Sequence, residues 1–257
     1  MDNLKLLFGE PLVINGITFR HAKIGDIIDI GEDFYMSAVN LFIVKMSDLM
    51  VELYDCGIDY RKANPYEVFL SLSTDTLVIR DGKFIADKDG MPMWNKDSST
   101  SKKLGWLTGI NDFRFYVDEE DKGILYSPST NAVIDESVYQ IVRAYYSRMH
   151  TISSDEKYNP GNDQTLKFLV RQEKRKRELN AKKRSHRSEL ASRISSYVCL
   201  TGHTFDDVKN LYVYQFFDGL DRANKLLEYK NISMGYFSGN IKHSDYTKAI
   251  EKVDWTQ

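Results

Sequence analysis

The chain has 257 residues, of which 42% are hydrophobic, 12% aromatic and only 5 are proline, too apolar for a disordered polymer and rich enough in large side chains to build a core. Thirty-five Lys and Arg against 37 Asp and Glu leave a formal charge of −2, which excludes the uniformly basic surface of a dedicated nucleic-acid coat protein. The 2 cysteines, Cys56 and Cys199, are too few for a secreted disulfide scaffold.

The near-neutral total hides an asymmetry. Residues 1–150 hold 16 basic and 23 acidic side chains, and residues 151–257 hold 19 and 14. No apolar stretch opens the chain and no run approaches the roughly 18 apolar residues that span a bilayer, so a soluble, cytoplasmic protein without membrane contact is expected.

In chain order, Leu12 to Phe19 forms two short β-branched runs around Asn15-Gly16, the dipeptide that best supplies two positive φ angles, and predicts a hairpin. Ile24, Ile27 and Ile28 then recur at helical spacing before Gly31. From Tyr35 through Val39, Phe42, Ile43, Met46, Met50 and Tyr54 the apolar spacing of three and four predicts one helix over 34–56, stopped by Gly57. Another helix is expected after Asn64-Pro65, proline being favoured at the first helical position.

Between Leu77 and Val133 the pattern changes to alternation around two tight turns, Arg80-Asp81-Gly82 and the acidic Asp118 to Lys122, predicting a small antiparallel sheet. Asn95 to Lys103 lacks large apolar groups and is expected to be an exposed loop. Glu136 to Met149 returns to helix, with Val138, Ile141, Val142, Tyr145 and Tyr146 on one side.

Residues 151–164 concentrate turn formers, including Pro160-Gly161, and are the expected domain boundary. The organisation predicted is therefore α+β and mainly helical: a domain at 1–150 with a sheet inserted at about 77–133, and a helical domain at 151–257 carrying a basic helix or arm at 165–203. Thr204, with Asp207 three residues on, approximates a capping box opening a helix at 204–229. The aromatic cluster Tyr212 to Phe217, with Tyr229, Tyr236 and Phe237 beyond it, is expected to build a C-terminal core, with a surface for a partner as the alternative. Phe42 and Tyr212 are expected to be core residues of separate layers.

Chemistry-bearing motifs are sparse. No Gly-x-Gly-x-x-Gly, phosphate loop or Gly-x-Ser-x-Gly elbow occurs. Asp87-Lys88-Asp89-Gly90 has the wrong glycine spacing for a calcium loop and is expected to be a turn. His21, His150, His186, His203 and His243 are scattered singly, so surface positions are expected and no metal or cofactor is. Both cysteines are expected to be buried as small apolar groups. The acid pairs Glu119-Glu120 and Asp206-Asp207 suit a solvated turn and a helix N-terminus. No catalytic residue, and so no enzyme, is expected.

The largest local feature is charge. From Lys167 to Arg187 stand ten Lys or Arg and two Glu, with no aromatic between Phe168 and Tyr197. Lys174, Arg175, Lys176, Arg177, Lys182, Lys183, Arg184 and Arg187 are the candidate partner-binding residues, together with Trp255 near the C-terminus. Three readings stay open for the segment: a solvated linker helix, a phosphate-contacting helix, or an arm docking on an acidic protein surface, this chain's own N-terminal part included.

Two stretches carry a resemblance. The opening Phe8-Gly9-Glu10-Pro11 and the run from Ile24 to Tyr35 resemble small structural-module proteins of tailed bacteriophages that infect Gram-positive hosts. The charged helix, Ser195-Ser196-Tyr197 to Gly202, Val208 to Phe217, Arg222 and the terminal tryptophan are similar to the C-terminal part of phage tail assembly chaperones. The resemblance implies a non-enzymatic assembly or structural protein in the host cytoplasm, binding tape-measure or tube proteins during tail morphogenesis, with self-association left open. The alternative is a DNA-associated phage or host-takeover factor using 167–187.

Overall fold

The computed structural model describes residues 3–74, 79–80, 83–84, 99–118, 122–153, 158, 160–182 and 188–253. The protein is α+β and mainly helical, as expected. A short helix, α1 (Asn3–Leu7), precedes the hairpin β1 (Leu12–Ile14) and β2 (Ile17–Phe19), whose turn places Asn15 at φ 49° and Gly16 at φ 74°. Helix α2 (Ile24–Ile30) ends at Gly31, φ 94°.

The single helix expected over 34–56 is two. Helix α3 (Glu32–Ile43) stops at Val44, whose backbone is extended, and the chain continues through a 3₁₀ turn at Met46–Leu49 into α4 (Met50–Asp55), the segment Met46–Asp55 being bent 113° from α3. The apolar spacing continues through the bend because the two arms bury different sides: Phe42 belongs to the main core, and Met46, Met50 and Leu53 to a second, smaller one. Among the described residues no single helix is long and apolar enough to cross a membrane.

Helix α5 (Pro65–Thr74) begins at the expected proline. Strands β3 (Ile79–Arg80) and β4 (Lys83–Phe84) pair antiparallel. The loop expected at 95–103 is helix from Ser99 onward: α6 (Ser99–Thr108) turns Ser101, Leu104 and Leu107 into the protein, so its polar opening turn misleads and its apolar residues come later. Residues 95–98, like the turn at 87–90, lie outside the described residues. Strands β5 (Arg114–Val117), β6 (Gly123–Ser127) and β7 (Ala132–Ile134) form an antiparallel sheet in that order. Asp135 caps α7 (Glu136–Met149) by accepting from the Val138 N–H.

The main core is aromatic. Phe42, fully buried, has Phe19, Phe69, Tyr139 and Tyr146 around it at ring separations of 5.9, 5.0, 6.0 and 5.7 Å. The buried hydroxyls still find acceptors, as a polar group taken from water must: Tyr66 donates to the Gly123 carbonyl at 2.8 Å, and Tyr146 to that of Arg20 at 3.3 Å.

Helices α8 (Asp163–Lys182), α9 (Glu189–Thr201), α10 (Phe205–Asn210), α11 (Val213–Phe237) and α12 (His243–Lys252) complete the chain. The capping box forms as expected, Thr204 accepting from the Asp207 N–H and Asp207 from the Thr204 N–H. The helix expected over 204–229 is interrupted at Leu211-Tyr212, because this dipeptide is extended and pairs with the chain at 22–24. The Ile24 N–H donates to the Leu211 carbonyl at 2.9 Å, and the Val213 N–H to that of Ala22 at 3.0 Å.

Tyr212 is consequently half-buried, not a core residue, and Val213, Tyr214 and Phe216 take that place. Phe42 and Phe216 share one cluster that runs from Leu6 to Phe216, across the turn-rich segment 151–164.

Candidate functional site

The basic helix α8 is docked. Its inner side, Leu166 and Val170, joins Met50, Leu53 and Tyr60 in the second core. Around that apolar seam, Lys174 Nζ pairs with Asp55 Oδ1 at 2.7 Å, while Arg177 reaches Glu52 at 2.5 Å and donates to the Asp48 carbonyl at 2.9 Å. The beginning of α8 is held by Arg61, which bridges Asp59 and Asp163 at 2.6 and 2.7 Å. Glu52 holds the Arg177 guanidinium above its ordinary value, and the Arg61 hydrogen bond holds the Asp59 carboxyl below its own. Of the readings open for this segment, the arm on the chain's own acidic part describes its inner side.

The other candidates separate. Lys176 lies 3.9 Å from Glu173, and Arg175 faces outward. Lys182 closes α8, its side chain outside the described residues, as are Lys183, Arg184, Arg187 and Trp255. Asp206 and Asp207 stand at the start of α10, where the helix dipole favours them. Glu119 and Glu120 are outside the described residues.

The histidines and cysteines correct the expectation. His21 and His150 are buried because each fills a gap between aromatic rings: His21 lies against Tyr145 and Tyr212, and His150 against Tyr35 and Phe217. His203 and His243 are exposed, and His186 is outside the described residues. Cys56, at the end of α4, and Cys199, on the outer side of α9, are exposed free thiols. Among the described residues no group of three His, Cys, Asp or Glu side chains could hold a metal.

A cavity of about 310 Å³ lies where α9 and α11 meet α2, α3 and the end of α7. Its floor is apolar, from Met36, Ile152, Leu190 and Phe217, with the Tyr35 hydroxyl and His150 Nε2 hydrogen-bonded to each other at 2.9 Å. Burial pushes the Tyr35 phenol up and the His150 imidazole down to about 3, so both are neutral near pH 7. Thr151 forms part of the wall at φ 53°, a left-handed conformation that costs a β-branched residue about 1–2 kcal/mol. At the rim Glu32 accepts from the Ser188 hydroxyl and, at 2.9 Å, from the Leu190 N–H, holding the start of α9 to the body. Arg193 pairs with Glu189 and lies 5.3 Å over the Phe217 ring. The rim's polar groups thus join α9 to the rest of the protein.

The last helices behave differently. Helix α11 buries only Val213, Tyr214 and Phe216, all in its first turn, and α12 buries nothing. At about 1.5 Å per residue α11 is about 37 Å long, so most of it extends beyond the core. It folds back on itself through α12: Tyr236 stacks on Tyr246 at 4.3 Å, and Gly235 admits Ile241, which would lie 2.7 Å from a Cβ there. Met234 and Phe237 stay 63% and 80% exposed at the tip of this hairpin. The helix expected to end at 229 runs on to Phe237, which belongs to the aromatic cluster with a partner surface as its alternative, whereas Met234 has no sequence signal beyond its spacing of three from Phe237.

No curated protein and no solved structure matches the chain. A family model described as the YomV second domain matches residues 181–257. The match begins inside the end of α8 and contains α9, with Glu189, Leu190 and Arg193 of the cavity, and the protruding hairpin. The C-terminal part of this protein is therefore similar to the second domain of YomV, a phage-associated family.

Proposed function

We propose that this is a phage protein that acts by binding rather than by catalysis, holding a tail component, the tape-measure or tube protein, during assembly in the host cytoplasm. The observation that carries this reading is the α11–α12 hairpin, whose apolar tip at Met234 and Phe237 lies outside the core. Exposed large apolar groups on a rigid projection suit capture of another chain, because their burial on binding is the chief gain and their exposure otherwise a cost. The phage-associated match over 181–257 includes the hairpin, and the resemblance to tail assembly chaperones supplies the client class.

The DNA-associated alternative is less well supported. Lys174 and Arg177 are engaged with Asp55, Glu52 and the Asp48 carbonyl, and α8 lacks the successive aromatics on which bases stack.

The test is retention of purified tape-measure and tube proteins by the immobilised full chain, alongside anisotropy with labelled duplex and single-stranded DNA at about 50 mM salt, where phosphate contacts are strongest. One tail protein should be retained, and Met234→Ser with Phe237→Ser should reduce retention tenfold or more without changing the thermal melt. Submicromolar DNA binding with neither tail protein retained would overturn the reading.

A further inference from the structure

The side of α8 that faces away from α4 carries a pattern that the docked side does not use. Phe168, Arg171, Arg175 and Leu179 follow one another at intervals of three, four and four, which places them in one stripe along the helix. Leu166, Val170 and Arg177, the residues that seat α8 on the body, point the other way. Phe168 is 58% and Leu179 47% exposed. Arg171 and Arg175 are exposed, and no ion pair engages either among the described residues. Lys167 flanks the stripe on one side and Glu178 adds a single acid beside it.

We propose that this stripe is a docking surface for an acidic amphipathic helix of the client, which rests on the reading that the protein holds a client at all. The inner side of α8 shows the recognition in working form. There an acidic helix, α4, presents apolar Met50 and Leu53 to Leu166 and Val170, and its Glu52 and Asp55 meet Arg177 and Lys174. The outer side offers the same two kinds of group, two cations and two large apolar side chains at intervals of three and four, in a different order, to a second helix of the same character. Two guanidiniums suit carboxylates in particular, since each can bind both oxygens of one at once. Phe168 and Leu179, about three turns apart, bracket them as apolar anchors of the kind that dominate such interfaces.

Nucleic acid fits less well. Leu179 offers a base nothing to stack on, and Phe168 is the stripe's single aromatic. Two arginines and a lysine beside a glutamate make a short phosphate track.

The experiment uses the full chain and two fluorescein-labelled peptides designed as helices. One carries Leu at intervals of three and four with Glu elsewhere; the other replaces each Leu by Ala and keeps the charge. Saturable binding of the Leu peptide is expected, weakened tenfold or more by Arg171→Glu with Arg175→Glu, and again by Phe168→Ser with Leu179→Ser. All four positions are exposed, so unchanged melts are expected for both variants. The Ala peptide should bind at least tenfold more weakly. Equal binding of the two peptides, absence of saturation, labelled duplex DNA binding more tightly than the Leu peptide, or self-association of the wild type abolished by the same substitutions would each overturn the proposal. Failure here is distinguishable from failure of the functional reading. If the Arg171→Glu, Arg175→Glu variant retains tape-measure or tube protein as the wild type does, the stripe is not the docking surface and the client-holding role stands. If the wild type retains neither, that role falls, and the peptide titration still decides the surface.

Discussion

Lowering the pH from 7.5 to 5 should destabilise this protein chiefly through two imidazoles. Burial holds His150 down to about 3, with the positive charges of His21 and Arg193 adding to the effect, and burial holds His21 down to about 4. An unfolded chain's histidines titrate near 6.5. Because both folded values lie below that, the unfolded state takes up protons first as pH falls. The stability is fully present above about 6.5 and is lost below it, until the folded values are reached. Each imidazole should cost about 1.4 kcal/mol per pH unit in that window, or about 2 kcal/mol between pH 7.5 and pH 5.

The two together should remove about 4 kcal/mol over that interval, a large part of an ordinary folding free energy of about 5–15 kcal/mol. At pH 5 the size of the effect is set by the unfolded value, since both folded values lie at least a unit lower. Asp59 and Asp112 are held below the ordinary carboxylate range by the Arg61 side chain and the Ser127 hydroxyl. Their contribution is therefore lost only at lower pH, outside the interval. The assay is urea unfolding at pH 7.5, 6 and 5 for the wild type and for His150→Gln, whose amide can keep a hydrogen bond to the Tyr35 hydroxyl but does not titrate. The variant should lose about 2 kcal/mol less than the wild type between pH 7.5 and 5. Parallel curves would refute the burial argument.

Phe42→Ala should cost about 3–5 kcal/mol in chemical denaturation, the range for truncating a buried large aromatic, whereas Phe168→Ala on the outer side of α8 should leave the midpoint almost unmoved. Gly9→Ala places a methyl group 2.2 Å from the Tyr212 ring at φ +73°, so a loss of at least about 1–3 kcal/mol is expected, with the near-ultraviolet circular dichroism of the displaced tyrosine as a second readout. Thr204→Ala removes the acceptor of the Asp207 N–H and should lower stability by about 1 kcal/mol, with Thr204→Ser restoring it.

What the sequence revealed is what neighbouring residues decide. Asn15-Gly16, Gly31, Pro65 and the Thr204-Asp207 box act over one to four positions, and each does in the structure what its chemistry requires. The breaks at Val44 and at Leu211-Tyr212 have no such local cause. The first arises because consecutive apolar residues serve two cores, and the second because the backbone of Leu211 and Val213 bonds to residues nearly two hundred positions away. The burial of His21 and His150 is illegible for the same reason: their aromatic neighbours come from distant helices. In α8 the charges were legible, but not which would be used, since Lys174 meets Asp55 across 119 positions.

That long-range meeting gives the charge asymmetry of the sequence a physical role. Exposed ion pairs such as Lys174–Asp55 and Arg177–Glu52 contribute at most about 1 kcal/mol each, too little to fix a long polar helix to the body. Leu166 and Val170, 5% and 2% exposed, contribute more, at about 1.5–3 kcal/mol for each side chain removed from water. The apolar pair therefore supplies most of the attachment, and the charges determine which turn of α8 lies over which turn of α4. A helix attached by so narrow a seam keeps most of its circumference free. The excess of Lys and Arg over the few acids it meets within the chain is then what a second, acidic partner would find on the opposite side.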